Sequence, residues 1–353
     1  MKAVNIFVVF FIFSFLFSCK EKNNLPVTQT VAQGEIPNLF VDSKNVIHLT
    51  YGKGDSILYC YSSDKGKTFS SSVLVDTMPN LFSFAMRGPQ IAAANNTVVI
   101  IATDKRGDIF SWQKDTSGKW LKGARVNDVD TIAKEGLTAL GSDGNKNLVA
   151  VWLDLRNDHK NNLFGSKSAD GGITWSKNFM IYTSPDGHIC ECCKPSVAIN
   201  GSNVFVMFRN WVMGNRDLYL IKSLDGGTTF SAAEKLGTDS WQLNGCPMDG
   251  GGLAISSGNI AETVWRRKNK IYACEMGQQE KEIGEGKSCT IASAGNKNVY
   301  AWIQNGKVIC LLPDGKKQEI GEGSLPVLKP VSENEVLCVW EADKNIKSRL
   351  IQL

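Results

Sequence analysis

Hydrophobic residues in this chain occur in short runs that are separated by polar turns. Examples are TVVIIA (97–102), NVFVMF (203–208) and EVLCVW (335–340). A short polar loop and a second β-rich run follow each of them, and the apolar positions do not recur at helical spacing. Short strands with frequent turn signals predict an all-β, closed fold.

Three segments share one eight-residue pattern and lie between these runs. They are SSDKGKTF (62–69), SADGGITW (168–175) and SLDGGTTF (223–230), and KDTSGKW (114–120) is a degenerate fourth copy. The D-x-G step supplies the positive φ that a tight hairpin turn needs. The Asp side chain can accept backbone N–H groups inside such a turn. We therefore expect these segments to be structural turns.

The spacing of these segments indicates an internal repeat. Asp170 and Asp225 lie 55 residues apart, and Asp64 precedes Asp170 by 106, which is close to two repeats. Self-similarity of this period predicts a propeller or a solenoid. The pattern S-x-D-x-G-x-T-[WF] resembles the Asp-box of sialidase-like β-propellers. This resemblance implies a β-propeller with four-stranded antiparallel blades and Asp-box turns.

The repeated strand pairs give seven units, so we predict one propeller of seven blades over residues 27–353. The last unit lacks its fourth strand. The segment VTQTVA (27–32) could supply that strand and close the ring. Sialidases have six blades, so a six-bladed ring with one irregular C-terminal unit is the alternative.

An apolar leader precedes this domain. Residues 1–18 place one early Lys before an apolar run that is short for a membrane span. LFSC (16–19) resembles a bacterial lipobox, which implies cleavage before Cys19 and lipidation of its sulfur. Residues 19–26 would then form the lipidated Cys and a polar tether. We expect an exported lipoprotein that a lipid anchors to a membrane, with the outer membrane or the cell surface as its location.

Charge and cysteine content narrow the partners. The formal net charge is +4 and no Lys/Arg block is present, so we exclude nucleic-acid binding. We also expect a monomer. Ten cysteines occur, nine of them after Cys19. Export permits disulfides, but an odd number leaves at least one thiol unpaired.

Charged residues gather where a propeller places its ligand site, at the links between blades and the loops between second and third strands. Arg87, Cys193 and Asp249 hold equivalent positions just before three inner strands. Because arginine forks bind carboxylates in bidentate fashion, the arginines predict a site for an acidic carbohydrate or another anionic ligand. The candidate ligand-binding residues are Arg87, Arg156, Arg209, Arg216, Arg266 and Trp211.

The sequence AMRGP, which contains Arg87, resembles the F-R-I-P motif of sialidases with Gly in place of Ile. The resemblance implies that Arg87 grips a substrate carboxylate and that Arg209 and Arg266 complete an arginine triad. It also implies that Asp104 or Asp108 is the catalytic acid/base. The nucleophilic Tyr and its Glu partner have no identifiable counterpart, so glycoside hydrolysis has less support than recognition.

Two cysteine-bearing links fall on this same face. They are GHICECCKPSV (187–197) and NGCPMDGG (244–251). The order CECCKPS, FRN, GNRD, SLDGGTTF and NGCP resembles an uncharacterised bacterial subgroup of sialidase-like proteins. Since the two links enter neighbouring blades, their side chains should meet. The candidate metal ligands in them are His188, Cys190, Cys192, Cys193, Cys246 and Met248.

Three interpretations of this cluster are open. In the first, a disulfide joins the links and pairs Cys246 with Cys192 or Cys193. In the second, thiolates with His188 or Met248 hold a metal, copper for soft ligands or zinc for four thiolate or imidazole ligands. In the third, the thiols are free and buried. The leading hypothesis for the function is that the protein recognises an acidic glycan. Hydrolysis of that glycan is a further step that this hypothesis allows. The alternatives are a copper- or zinc-binding envelope protein and a protein-binding scaffold.

Overall fold

The computed structural model describes residues 27–94, 96–145 and 147–353. The leader 1–18, Cys19 and the tether that follows it lie outside the described residues. The strands form seven four-stranded antiparallel sheets, which confirms the all-β propeller and decides for seven blades over six. No helix in the described part of the chain is long and apolar enough to cross a membrane.

The first strand in the chain, β1 (Gln29–Gln33), belongs to the last blade. Blades 1 to 3 then follow in chain order, each written from its inner to its outer strand. Blade 1 contains β2 (Glu35–Val41), β3 (Ile47–Lys53), β4 (Ser56–Ser62) and β5 (Val73–Thr77). Blade 2 contains β6 (Gln90–Ala94), β7 (Thr97–Thr103), β8 (Ile109–Lys114) and β9 (Trp120–Arg125). Blade 3 contains β10 (Thr138–Ser142), β11 (Leu148–Asn157), β12 (Lys160–Ser168) and β13 (Phe179–Tyr182).

The remaining blades continue the same order. Blade 4 contains β14 (Ser196–Asn200), β15 (Asn203–Arg209), β16 (Leu218–Ser223) and β17 (Glu234–Lys235). Blade 5 contains β18 (Gly252–Ile255), β19 (Ala261–Arg267), β20 (Lys270–Glu275) and β21 (Lys281–Glu285). Blade 6 contains β22 (Lys287–Ala294), β23 (Lys297–Gln304), β24 (Lys307–Leu311) and β25 (Lys317–Glu322). Blade 7 contains β26 (Ser324–Ser332), β27 (Glu335–Ala342), β28 (Asn345–Gln352) and β1.

The two ends of the chain meet in blade 7 and close the ring. Strand β1 pairs antiparallel with β28, with Gln29 opposite Ser348 and Gln33 opposite Asn345. The predicted closing segment VTQTVA therefore supplies the fourth strand of the last blade. The pairing places the N-terminal strand β1 at the outer edge of blade 7. Without β1, the backbone groups along one edge of β28 would be unpaired.

Large apolar side chains fill the space between neighbouring blades. Trp112, Trp152, Trp302 and Trp340 have relative exposures of 1% or less. They lie on the second or third strands, as the repeated apolar runs predict. The cysteines that sit within strands are also buried in these layers, as the sequence indicates for small apolar residues. They are Cys60, Cys274, Cys289, Cys310 and Cys338.

The Asp-boxes form the turns between third and fourth strands, and their geometry confirms a structural role. The Asp225 Oδ1 atom accepts the Ser223 hydroxyl at 2.7 Å and the N–H of Thr229 at 2.9 Å. Hydrogen bonds from Thr229 and its neighbours lower the pKa of the Asp225 carboxyl. The box glycines touch the preceding blade. A Cβ on Gly172, whose φ is +84°, would come within 2.7 Å of Val99.

The links between blades and the loops between second and third strands lie at the ends of the blades opposite the Asp-box turns, and we call this the link face. Link 183–195 leads from β13 to β14, and link 236–251 leads from β17 to β18. The two cysteine-bearing links therefore enter neighbouring blades on the face that the repeat predicts.

Candidate functional site

The inner strands of all seven blades surround an axial cavity of about 500 Å³. Its wall consists largely of backbone and small or apolar side chains from β2, β6, β10, β14, β18, β22 and β26. Among the described residues that line it, three carry a charge, namely Lys194, Asp249 and Lys329. Two positive charges and one negative charge thus face the same enclosed space.

Neither of the two lysines forms an ion pair with a carboxylate among the described residues. The Nζ atom of Lys194 donates to the Gln90 Oε1 atom at 2.7 Å. Lys329 has no hydrogen-bond or ion-pair acceptor in the described part of the chain. Burial lowers the pKa of Lys194 to about 8, and repulsion from Lys329 acts in the same direction. Burial likewise lowers the pKa of Lys329. Both amines would therefore gain from a nearby negative charge.

Asp249 supplies the acceptor side of the cavity. Its Oδ2 atom accepts the Ser288 N–H at 2.8 Å and lies 3.7 Å from the Nη1 atom of Arg266. Its Oδ1 atom is buried and has no hydrogen-bond partner among the described residues. A buried acceptor without a donor is costly, so the Asp249 carboxylate is held in place at a cost in stability.

Arg209 lies beneath the cavity wall, in a different place from the one predicted for it. It is 1% exposed. Its guanidinium donates to the carbonyl oxygens of Asp249 at 3.0 Å, Arg216 at 2.7 Å and Arg266 at 3.1 Å. These carbonyls come from three separate segments of blades 4 and 5. Arg209 therefore ties the link face together and does not present a fork to a ligand.

Arg156 is also committed to its own loop. Its Nε and Nη2 atoms donate to the two Asp154 carboxylate oxygens, each at 2.9 Å. Its Nη1 atom donates to Asp128 at 3.0 Å, and the guanidinium lies 4.4 Å from the Phe164 ring centroid. This bidentate pair holds the blade 3 loop in place and leaves little of the fork for an external carboxylate.

The two predicted acid/base candidates are buried loop acceptors. The Asp104 Oδ1 atom accepts the N–H groups of Arg106, Gly107 and Asp108, each at 3.0 Å. The Asp108 Oδ1 atom accepts the N–H of Thr131 at 3.0 Å. Neither residue lines the axial cavity. Their geometry is that of carboxylates that organise turns, rather than that of groups facing a substrate.

Arg87 and Arg266 lie nearer to the link face surface, although neither is free. The Arg87 side chain is 11% exposed and lies 3.7 Å from the Glu135 carboxylate. It also lies 5.6 Å from the Phe84 ring centroid. The Arg266 side chain is 20% exposed and neighbours Asp249. The structure thus does not bring Arg87, Arg209 and Arg266 together as three exposed forks.

Trp211, His188 and Arg216 form a stacked group beside the cysteines. The His188 and Trp211 ring centroids are 5.7 Å apart, and the Arg216 guanidinium lies 4.4 Å from the Trp211 ring. The Trp211 ring is therefore near two other side chains. Trp211 does not line the cavity, so its predicted contact with a ligand stays a prediction.

The cysteine cluster contains one disulfide. Cys192 and Cys246 are bonded and lie 54 residues apart in the chain. This bears out the first of the three interpretations and selects Cys192 over Cys193 as the partner. Cys190 and Cys193 are free and buried. The Cys190 Sγ atom lies 3.8 Å from that of Cys192 and 3.6 Å from that of Cys193.

The same cluster also brings candidate metal ligands together. In the described part of the chain, one group of Cys, His, Asp or Glu ligand atoms lies mutually within 4.8 Å, and it consists of Cys190, Cys192 and Cys193. His188 and Cys246 do not belong to it. While the disulfide is present, Cys192 offers no thiolate, and two ligands are too few for a structural zinc site. The copper or zinc alternative stays a prediction and concerns the reduced protein. Met248 is 41% exposed.

Sequence reasoning overlooked the two cavity lysines. Both precede a proline, in CKPSV and LKPVS, and these are the two Lys-Pro steps of the chain. Both steps fall at or near an inner strand, which is the signal that could have identified them. The arginines are more conspicuous in the sequence because their loops contain more charged residues.

The fold and its axial cavity define the class, a seven-bladed β-propeller with a ligand-sized central site. No known protein family matches the sequence. No curated protein matches it either. The chain is therefore placed by its structure.

Solved structures share this architecture at low sequence identity. A lectin from Burkholderia pseudomallei is 8% identical, covers 91% of this chain and 96% of its own, and has a TM-score of 0.64. A catalytically inactive virginiamycin B lyase from Staphylococcus aureus is 12% identical, with coverages of 93% and 100% and a TM-score of 0.56. A protein of unknown function from Dyadobacter fermentans is 14% identical, with coverages of 94% and 98% and a TM-score of 0.53. These likenesses show the fold alone.

Proposed function

We propose that this protein binds an acidic carbohydrate in its axial cavity and that it does so as a lipid-anchored protein of the bacterial cell envelope. The observation that carries the proposal is the pair of lysines, Lys194 and Lys329, which line one cavity and form no ion pair with a carboxylate of the described chain. Two buried ammonium groups that repel each other form a ready site for an anion.

Asp249, the third charged residue of the cavity, fits a sugar acid better than a simple inorganic anion. The Oδ1 atom of Asp249 is unpaired, and the negative charge of this carboxylate would repel a bare phosphate or sulfate. A sugar acid supplies a carboxylate for the lysines and hydroxyl groups that can donate to acceptors of the cavity wall. The cavity of about 500 Å³ lies within the size range of small-molecule sites. The Burkholderia propeller that shares the fold is itself a lectin.

The proposal is one of binding and does not include hydrolysis. Glycoside hydrolysis generally needs two carboxyl groups that flank the scissile bond. Asp249 is the one carboxylate that lines the cavity in the described part of the chain. Asp104 and Asp108 hold their own loop. In this proposal the two lysines bind the ligand carboxylate, which is the role that the sequence suggested for Arg87, Arg209 and Arg266.

Isothermal titration calorimetry of the purified protein with glucuronic acid, galacturonic acid and N-acetylneuraminic acid tests the proposal. Glucose and galactose are the neutral controls. We expect at least one acid to bind and the neutral sugars not to bind. Lys194→Met and Lys329→Met should each weaken binding by roughly tenfold or more, because each removes one charged partner of the carboxylate. Lys67→Met, at an exposed Asp-box turn, is the matched control and should leave the affinity unchanged.

Two results would count against this function. One is equal binding of the acids and their neutral counterparts. The other is an affinity for the acids that both cavity variants retain in full while their unfolding temperatures match that of the wild type.

A further inference from the structure

We propose that Cys190, Cys192 and Cys246 form a thiol–disulfide exchange centre, which presents Cys246 as a surface thiolate able to shuffle disulfides of exported partner proteins. This inference is independent of the carbohydrate site. It rests on the position of the sulfur atoms, on the difference in exposure between the two halves of the disulfide, and on the groups that surround Cys190.

The disulfide joins a buried cysteine to an exposed one. Cys192 is 6% exposed, whereas Cys246 is an exposed residue of the link into blade 5. Its neighbours Asn244 and Gly245 are exposed as well. A partner protein can therefore reach the sulfur of Cys246 and cannot reach that of Cys190, which has no measurable exposure. Exposed disulfides are the labile ones, and structural disulfides resist reduction.

A third sulfur lies in contact with the buried half. The Cys190 Sγ atom is 3.8 Å from the Cys192 Sγ atom. The Cys190 backbone N–H donates to the Arg209 carbonyl at 3.1 Å, and Arg209 is itself held by three other carbonyls. The nucleophile and the sulfur it would attack are thus held as neighbours by the rigid part of the link face. Such positioning favours exchange within the chain over reaction with a small thiol in solution.

The surroundings of Cys190 favour its thiolate. The Arg216 Nη1 atom lies 2.9 Å from its Sγ atom, and the Cys193 Sγ atom lies 3.6 Å away. The guanidinium of Arg216 thus places a positive charge beside the Cys190 sulfur, which favours its thiolate. The thiolate is the form that attacks a disulfide.

The exchange step needs no external oxidant or reductant. The Cys190 thiolate attacks the Cys192 Sγ atom, so a Cys190–Cys192 bond forms and the Cys192–Cys246 bond breaks. Cys246 leaves with the electron pair as a thiolate. One disulfide and one thiolate are present before and after the step.

The released Cys246 thiolate can then act on a partner. It attacks one sulfur of a partner disulfide, forms a mixed disulfide, and frees the second partner sulfur as a thiolate. That thiolate attacks another partner disulfide and frees a further partner thiolate, and a partner thiolate then attacks the mixed disulfide, forms a partner disulfide and releases Cys246 as a thiolate. Cys246 finally attacks Cys192 and restores the Cys190 thiolate, so the cycle as a whole is neutral in redox terms.

The remaining buried cysteines do not share this arrangement. Cys60 lies in the core between blades 7 and 1. No other sulfur atom of the described residues contacts Cys60, and Cys60 is buried. Cys60→Ser therefore serves as the matched control for variants of the cluster.

The test treats the purified, fully folded protein with dipyridyl disulfide in the absence of any reductant and follows the release of pyridinethione. Peptide mass spectrometry then locates the pyridyl group and the protein disulfides. We expect about one pyridinethione per chain, with the pyridyl group on Cys246 and a new Cys190–Cys192 disulfide. Cys190→Ser should slow this release by roughly tenfold or more, and Cys60→Ser should leave it unchanged.

Either of two results would overturn the inference. The first is a pyridyl group on Cys190 or on a strand cysteine, with Cys192–Cys246 intact. The second is labelling of Cys246 in Cys190→Ser at the wild-type rate. The position of the label in the wild type needs no variant, so the test holds even if a substitution in the cluster impairs folding.

Discussion

The Nη1 atom of Arg216 lies 2.9 Å from the Sγ atom of Cys190, while the same guanidinium contacts the Glu191 carboxylate at 3.3 Å. This contact places a fixed positive charge against a buried sulfur. The sulfur is also in contact with a disulfide. The hydrogen bond with Cys193 is the main cause of the lowered pKa of Cys190, and the charge of Arg216 acts in the same direction.

The first prediction concerns the pH dependence of the exchange step. The release of pyridinethione should rise as the pH increases through about 6, where the Cys190 thiolate forms, and should level off above it. Arg216→Gln removes the charge and should move this rise to higher pH. The rate of pyridinethione release, measured at several pH values between 5 and 9, would show the shift. An unchanged profile in Arg216→Gln would contradict the assigned role of Arg216.

The second prediction concerns the pH dependence of carbohydrate binding. An acidic sugar requires Lys194 to be protonated, and its pKa in the free protein is lowered to about 8. The affinity should therefore fall as the pH rises through about 8. Binding should also be accompanied by proton uptake near that pH, because the bound carboxylate raises the pKa of the amine. Calorimetry in two buffers of different ionisation enthalpy measures this uptake, and its absence at pH 8 would argue against contact between the ligand and Lys194.

The same lysine affects folding in the opposite direction from a salt bridge. Its folded-state pKa lies below its usual value of 10.5, so the unfolded state binds more protons between about 8 and 10.5. Its contribution to the free energy of unfolding should therefore increase as the pH rises through this window. Lys194→Met should remove that increase. Denaturant unfolding of both proteins at pH 7.5 and pH 10 provides the comparison.

The third prediction assigns Arg209 to stability. Arg209→Gln leaves the buried carbonyls of Asp249, Arg216 and Arg266 without a donor, so the free energy of unfolding should fall by about 3 kcal/mol or more. Chemical denaturation measures the loss. Arg106→Gln, whose side chain is 68% exposed, should have little effect. A stable Arg209→Gln protein with a defect confined to ligand binding would instead support the role suggested by the sialidase resemblance.

The fourth prediction concerns the Asp-box of blade 1. Although partial burial opposes it, hydrogen bonds from Thr68 and Ser62 lower the pKa of Asp64 to about 2. A depressed carboxyl pKa stabilises the folded state above its usual value of 3.8, and this contribution disappears as the pH falls through about 2. Asp64→Asn should lower the unfolding temperature at pH 6 by about 2–4 °C. The difference should shrink at pH 2, and a difference that does not change with pH would indicate that the charge is irrelevant.

Ring closure could be anticipated because it depends on counting. The repeat has a fixed order of strands, so a last unit with three strands implies that another segment supplies the fourth. VTQTVA was the segment left over at the start of the domain, and β1 occupies that place opposite β28. The Asp-boxes were equally predictable, since every group that makes the turn lies within eight residues.

The cysteine pairing could be predicted only in part. The repeat places links 187–197 and 244–251 in neighbouring blades, so contact between them follows from the sequence. Which sulfur meets Cys246 depends on the direction of each side chain, because Cys192 and Cys193 are adjacent in the chain. The backbone path of the link turned Cys192 toward Cys246 and left Cys193 beside Cys190.

The sequence by itself determined the propeller, the structural turns and the face on which the unusual residues gather. These features depend on local pattern and on period, both of which can be read along the chain. Only the tertiary structure decided that Arg209 is buried under carbonyls of three segments and that Lys194 and Lys329 share one cavity. The reason is physical: the environment of a charged side chain is set by groups far away in the sequence, and a long side chain can reach either the solvent or the backbone from the same position.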